Sequence, residues 1–491
     1  MGSHHSHEQK DGEGGSGFNT PRGGSRRGAT PRGSAGDTEK PEKPQPTSMV
    51  PVEKLGKLLA QRSQKEDGVS GVTEKSFTKY LFPMYPELAR QFYRWVHRAG
   101  KCRNQHIPLS VFRTHCEKIL GMIDDNAIIE TYVKMFATEA DENTMEPSGL
   151  RSLLYTSYKL SMDHYPEGPQ TCLMINRTLS SVVNGCFNNK DAHSVGFVVR
   201  WLNEHCHRLV FPVHRYCVHM LATRHRDLEA AVESPCSGAG LELATPVLER
   251  SPWPAAPHAK DALLPLSVAW LLAGAAPPLY SRPLQALGGG ALASAAWLAR
   301  LVCAVPVHWV PLYASGDHGL GANRFLHHTL AYRGPTLVLI AAQEALVVVA
   351  SPQEWRESHQ YWGGPDAALV QLLPTFAVLE RGPKLLYLNT SIRGYPLGLR
   401  VGADPRKPAL SVAAGFDALT LRGVPFAVSS IEVWGCGDQA SRETQLEIKK
   451  WQVREAERQS KVKLSAADWI DHPDRYLLEL AGRTQYNTSA S

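Results

Sequence analysis

A chain of 491 residues exceeds what one hydrophobic core usually organises, so two folded domains with flexible segments are expected, each long enough to bury a core. Hydrophobic residues make up 43% and charged residues 20%, with a formal charge of +6, which is ordinary globular composition and gives no electrostatic case for nucleic acid. The nine cysteines are odd in number, scattered and never arranged as C-x-x-C, so they read as reduced cytosolic thiols.

The chain opens on Met1-Gly2-Ser3-His4-His5-Ser6, which fits the M-G-x-x-x-S/T pattern of N-myristoylation at Gly2; an expression-tag remnant has the same spelling. No cationic patch followed by an apolar stretch marks a secretory signal, so the chain is expected to stay in the cytosol. The Asn-x-Ser/Thr matches at Asn176, Asn389 and Asn487 then read as chance. Residues 1–49 are Gly, Ser, Pro and charge, too poor in apolar side chains to offset the entropy of ordering, and are expected to be a disordered arm.

Residues 50–227 turn helical. Leu55, Leu58 and Leu59, then Leu88, Phe92, Trp95 and Val96, then Val198, Val199, Trp201 and Leu202 recur at helical spacing. The acidic run Glu139-Ala140-Asp141-Glu142-Asn143-Thr144-Met145 sits between helical patterns as an EF-hand loop does. A working loop needs Gly at its sixth place and Glu at its twelfth. Started at Asp141 those places hold Glu146 and Ser152, and started at Glu139 they hold Thr144 and Leu150, so a degenerate, metal-free EF-hand-like domain is expected.

Residues 228–260 lose periodicity and gain Pro, Ser, Ala and Gly, as linkers do. The uncharged runs Ala262 to Ser281 and Leu284 to Ala299 are long enough to weigh as membrane spans. Pro265, Pro277, Pro278 and Gly288-Gly289-Gly290 interrupt them and no strongly basic flank follows, so they read as buried helices. Short β-type runs come next: Thr336 to Ile340, Ala345 to Ala350, Ala368 to Leu373, Lys384 to Leu388 and Ser430 to Trp434. Residues 261–437 are therefore a β core with flanking helices, and the fold class is α+β. Residues 438–491 form a charged helix and tail. Ser441 to Lys461 sets six Lys and Arg against four Glu and leaves only Ile448, Trp451 and Val453 as an apolar stripe. Ile448 and Trp451 are the candidate partner-binding residues; a solvated surface helix is the alternative.

No constellation for bond chemistry stands out. Ser315, Asp317 and His318 hold the residue types of a hydrolase triad but sit too close in sequence to converge easily. His205, Cys206, His207 and His214 match metal ligands by type, without a second pair at zinc spacing. Nucleotide-binding glycine loops are absent. No catalytic residue, cofactor or metal is assigned, and the chain is expected not to be an enzyme.

Three segments of the second domain resemble the TLDc family. Pro311-Leu312-Tyr313-Ala314-Ser315 with His318-Gly319-Leu320-Gly321-Ala322-Asn323-Arg324-Phe325 is similar to its opening block, Gly334-Pro335-Thr336-Leu337-Val338-Leu339-Ile340 to its first strand, and Ile431-Glu432-Val433-Trp434-Gly435-Cys436-Gly437 to its closing block. Where the family shows glycines after the second strand this chain has Leu346-Val347-Val348-Val349-Ala350, and a later glycine turn survives partly as Gly398-Leu399-Arg400-Val401-Gly402, so those turns are expected to be rebuilt. With a lipidation motif, an EF-hand-like region and a helical tail, the order resembles the family's myristoylated, lysosome-associated, mTOR-linked branch. The resemblance implies a two-sheet sandwich, oxidative-stress resistance, and binding to the vacuolar proton ATPase or mTOR machinery on the cytosolic face of lysosomes or other endomembranes, with the membrane reached through the lipid. An oxidative-stress-defence protein with an unrecognised redox activity is the alternative.

Overall fold

A computed structural model describes residues 51–138, 141–162, 174–226, 228, 247–248, 263–281 and 308–460. The N-terminal arm, most of the linker, the run 284–299 and the last 31 residues lie outside them.

The first half is helical: α1 Pro51–Asp67, α2 Glu74–Ser76 running into a π-helical turn at Phe77–Leu81, α3 Pro86–Ala99, α4 Leu109–Leu120, α5 Asp125–Met135, α6 Pro147–Met162, α7 Ile175–Phe187, α8 Val195–Cys206 and α9 Phe211–Thr223. In α1 the buried Val52, Leu55, Gly56, Leu59 and Ser63 trace one helical face, and in α3 Leu88, Ala89, Phe92, Tyr93 and Val96 do the same. Capping side chains set the starts: Asp124 accepts the Ala127 N–H at 2.8 Å, and Ser194 accepts that of Phe197 at 3.3 Å.

The helices are paired across their loops. Val72 and Ile107 bridge the loops before α2 and α4, and the short strands β1 (Thr144–Met145) and β2 (His193–Ser194) bridge those before α6 and α8. This is EF-hand-like pairing made twice, where the sequence showed only the acidic loop. In that loop the Asp141 carboxylate is engaged by its neighbours, accepting the Asn143 N–H at 2.9 Å and the Thr144 hydroxyl at 2.6 Å.

The apolar run after the linker becomes α10 (Leu266–Ala275) and α11 (Pro278–Ser281). In α10 every residue from Ser267 to Ala275 is buried, which is why the run carries no charge. No described helix is long and apolar enough to cross a membrane.

The second half is two packed sheets. Its strands and short helices are β3 Val247–Leu248, β4 His308–Ala314, α12 Ser315–His318, α13 Ala322–Thr329, β5 Thr336–Ala342, β6 Ala345–Ser351, β7 Ala368–Leu373, β8 Ala377–Arg381, β9 Leu386–Asn389, β10 Gly398–Val401, β11 Leu410–Val412, β12 Ala418–Leu421, β13 Val424–Ala427 and β14 Ser430–Gly435. Among the described residues one sheet runs β3-β4-β14-β5-β6-β7-β8 and the other β13-β12-β11-β10-β9; the pairings are antiparallel except β3 with β4.

Alternate residues of β5 to β7 face two different cores. Val338, Ile340, Val347, Val349 and Leu369 point between the sheets, while Leu337, Leu339, Leu346, Val348 and Val370 join the apolar cluster of the helices. A sheet buried on both faces needs strands that are apolar throughout, and Leu346 to Ala350 is such a strand. The expected rebuilt turn there is therefore corrected: the run lies inside β6, paired with β5 and β7. The glycine-flanked run at 398–402 is likewise mostly strand β10. The strand expected at Lys384 to Leu388 begins only at Leu386, because Lys384 takes a left-handed backbone at φ +57°. Asn389 is buried, with its side-chain amide donating to the Ile392 carbonyl at 3.0 Å and the Pro396 carbonyl at 3.2 Å.

Candidate functional site

The three motif segments meet in one place. β4, β14 and β5 are adjacent strands, so the opening, closing and first-strand blocks lie side by side. Beneath them Gly334, Gly435 and Gly437 crowd around the Tyr332 ring, where an added Cβ on Gly435 would sit 2.6 Å from the ring and one on Gly334 2.9 Å from Gly437 Cα. The Tyr332 hydroxyl accepts the Gly437 N–H at 2.8 Å, and Cys436 N–H reaches the Pro335 carbonyl at 2.7 Å. The glycines serve close packing at the strand ends.

This junction launches the last helix, α14 (Gln439–Ser460). Asp438 caps it, accepting the Ser441 N–H at 2.9 Å and the Ser441 hydroxyl at 2.6 Å. Gln445 is fully buried and donates to the His328 carbonyl at 2.9 Å, which pins the first half of α14 against α13. At 22 residues the helix is about 33 Å long, and its second half is mostly exposed. Ile448 is half-buried beside the docked face, Trp451 is 63% exposed and Val453 58% exposed. The two predicted partner residues thus share one flank of α14, three residues apart, with Trp451 in solvent. Gly2 lies outside the described residues.

The weaker candidates are drawn into structure. Ser315 is buried and its hydroxyl accepts the Ile431 N–H at 2.9 Å, while His318 Nδ1 turns back to 3.0 Å from the Ala314 carbonyl. His205 Nδ1 accepts the Val378 N–H at 3.2 Å, His207 packs on Phe211, and the buried His214 lies 3.3 Å from the Tyr132 hydroxyl. Among the described residues no group of three or more His, Cys, Asp or Glu is placed to hold a metal ion. Burial pushes the Cys186 and Cys217 thiols up to about 12, and raises those of Cys102, Cys116, Cys206 and Cys436. These six thiols are free, and those conditions disfavour the reactive thiolate.

Sequence reading missed a cluster beside the docked face of α14. His318 and His328 lie with ring centroids 3.9 Å apart and planes tilted by 43°, the His327 ring centroid lies 5.1 Å from that of His328, and the Tyr313 ring stacks on His318 at 5.7 Å. Burial, then the charges of His318, Lys449, His327 and Arg442, hold the His328 imidazole down to about 4. The signal lay in the sequence as His327-His328 and His318, but only the docking of α14 brings Lys449 and Arg442 to them.

Comparison with known proteins agrees with this architecture. Residues 290–425 match the family model of the TLDc domain. The protein named Restriction of telomere capping protein 5 in Pyricularia oryzae is 44% identical over 64 residues, 13% of this chain and 10% of that protein. Its namesake in Neurospora crassa is 42% identical over 171 residues, 27% of this chain and 28% of that protein, and the one in Zygosaccharomyces rouxii is 25% identical over 171 residues, 29% and 30% respectively. The matches thus span less than a third of these curated relatives. The sandwich half of the chain carries a TLDc domain.

Proposed function

We propose that the chain is a non-enzymatic regulatory protein that rests on the cytosolic face of a lysosomal or other endomembrane through a lipid on Gly2, and binds a large protein complex through the TLDc sandwich and α14. The vacuolar proton ATPase or the mTOR machinery is the proposed partner, following the branch of the family that the domain order resembles. The observation that carries the binding role is α14 itself. It is anchored at Gln445, and it presents Trp451 in a charged surround, the residue type that most often dominates interface energetics. Buried thiols and histidines engaged by backbone groups support a protein without bond chemistry.

The test is a pull-down from lysosomal membranes with the full chain and with Trp451→Ala, probed for pump and mTOR-complex subunits. Recovery by the native chain that falls at least tenfold with the variant supports the reading; equal recovery sinks the role of α14. Catalytic turnover of peroxide that is lost on replacing one cysteine or histidine replaces this reading with the redox alternative. The relatives' name points to telomere capping, so a second reading gives this chain such a role, and telomere-capping proteins belong in the same pull-down.

A further inference from the structure

We propose that the cavity between α7, α10 and the β5–β6 hairpin is a binding site for a free α-amino acid with an apolar side chain, its carboxylate taken by Arg177 and its ammonium by Glu344. The cavity measures about 220 Å³ and lies where the helices meet the larger sheet. Its walls are Met174 from α7, Val268 and Leu271 from α10, Leu346 from β6, and Leu372 and Leu373 from β7, all buried except the half-buried Met174. Two hydroxyls also line it, and both are committed within the protein. Thr178 donates to the Met174 carbonyl at 3.1 Å and lies 3.0 Å from the Ser267 hydroxyl, and Ser181 donates to the Thr178 carbonyl at 2.9 Å. Water held in a cavity needs several polar partners, so these walls favour an apolar group over solvent. The room is small for a drug-sized ligand, whose pockets start at ~300 Å³. It exceeds the roughly 150 Å³ that accepts benzene, so a phenyl or branched aliphatic side chain fits.

The mouth of the cavity is polar and carries both signs. Gln343 and Glu344 form the two-residue turn between the paired Ala342 and Ala345, with Gln343 at φ +50°, so Glu344 stands on a tight hairpin. Arg177 comes from the first turn of α7. Among the described residues neither charge has a hydrogen-bond or ion-pair partner, and the two do not pair with each other. A cation and an anion that share a mouth unpaired leave room for a head group carrying both opposite charges, and the ammonium carboxylate of an amino acid is the smallest of that kind. A fatty acid would satisfy Arg177 but set its carboxylate against Glu344, and a simple amine would do the reverse. The side chain of the bound amino acid would touch α7, α10 and the sheet together, so occupancy clamps the helices to the sandwich. Such a site works whether or not α14 holds a partner.

The experiment titrates the full chain by calorimetry with L-leucine and L-phenylalanine. Glycine, isocaproate and isoamylamine run alongside, lacking the side chain, the ammonium and the carboxylate in turn. Leucine or phenylalanine should bind and raise the melting temperature, and the three truncated compounds should bind at least tenfold more weakly. Arg177→Met and Glu344→Gln, both at exposed positions, should each weaken binding at least tenfold, while Lys190→Met beyond the far end of α7 leaves it unchanged. Ala341→Leu grows a side chain into the cavity from β5 and should abolish binding without lowering the melting temperature. Where Ala341→Leu does not fold, the two rim variants carry the test. Failure of both amino acids to bind the native chain overturns the site, as does binding that survives in folded Ala341→Leu or is equal in both rim variants. Isocaproate or isoamylamine binding as tightly as leucine also overturns it, because the paired head group is then not what the mouth recognises.

Discussion

Gly398 opens β10 at φ +104°, and a Cβ there would strike the Val412 carbonyl oxygen across the β10–β11 ladder. Left-handed strain and a blocked strand pair add up, so Gly398→Ala should cost about 1–3 kcal/mol in chemical denaturation. His214 makes a second test at this scale. Burial, with the charge of Arg215, holds its imidazole down to about 4 against an ordinary 6.5. The unfolded chain therefore takes up a proton near pH 6.5 that the folded chain refuses until about pH 4. The contribution is full above pH 6.5, falls away between 6.5 and 4, and changes no further below, for a total on the order of 3 kcal/mol. Denaturation midpoints measured across that window should slope, and His214→Gln should flatten the slope.

At the scale of elements, α14 and the acidic loop separate packing from function. Because Trp451 is 63% exposed, Trp451→Ala should leave the melting temperature within about 1 °C of the native value while weakening partner capture; adding Ile448→Ala should deepen the binding loss. A destabilised variant with intact affinity would refute the interaction role. The loop makes the opposite kind of prediction. Its Asp141 carboxylate already serves the Asn143 N–H and the Thr144 hydroxyl, and the glycine and glutamate of a working site are missing from both registers read in the sequence. Sub-millimolar calcium should leave the melting temperature where it is, since a ligand that binds the native state must raise it.

At the scale of the whole molecule, the helices and the sandwich share a core. Phe376 donates its N–H to the Ser181 carbonyl at 3.0 Å, packs on Trp201, and lies so close to Gly185 that no side chain fits there. Arg381 donates to the Ala275 carbonyl at 2.6 Å, and the Leu263 N–H reaches Glu432 at 2.8 Å. Phe376→Ala should therefore cost about 3–5 kcal/mol and lower the transitions of helical and sheet signals together. Two separated calorimetric transitions would contradict the shared core.

Local chemistry was enough for much of this protein. Helical spacing in α1, α3 and α8, the β-branched runs of β5 to β7, the α+β class and the TLDc motifs were all readable, because each is a short-range pattern of apolar residues or glycines. Short strands such as β11 and the proline-containing edge strand β13 gave no such pattern: three or four residues carry too little periodicity, and an edge strand tolerates Pro425 because its N–H need not pair. The second pairing of helix–loop–helix units was hidden for the same reason, since a bridge such as that of Val72 with Ile107 involves residues 35 positions apart and no ligand pattern. Tertiary structure alone decided that the outer face of the larger sheet would be covered by the helices rather than by water. It also decided that the charges of Lys449 and Arg442 would act on His328, because groups more than a hundred residues apart meet only when Gln445 docks α14.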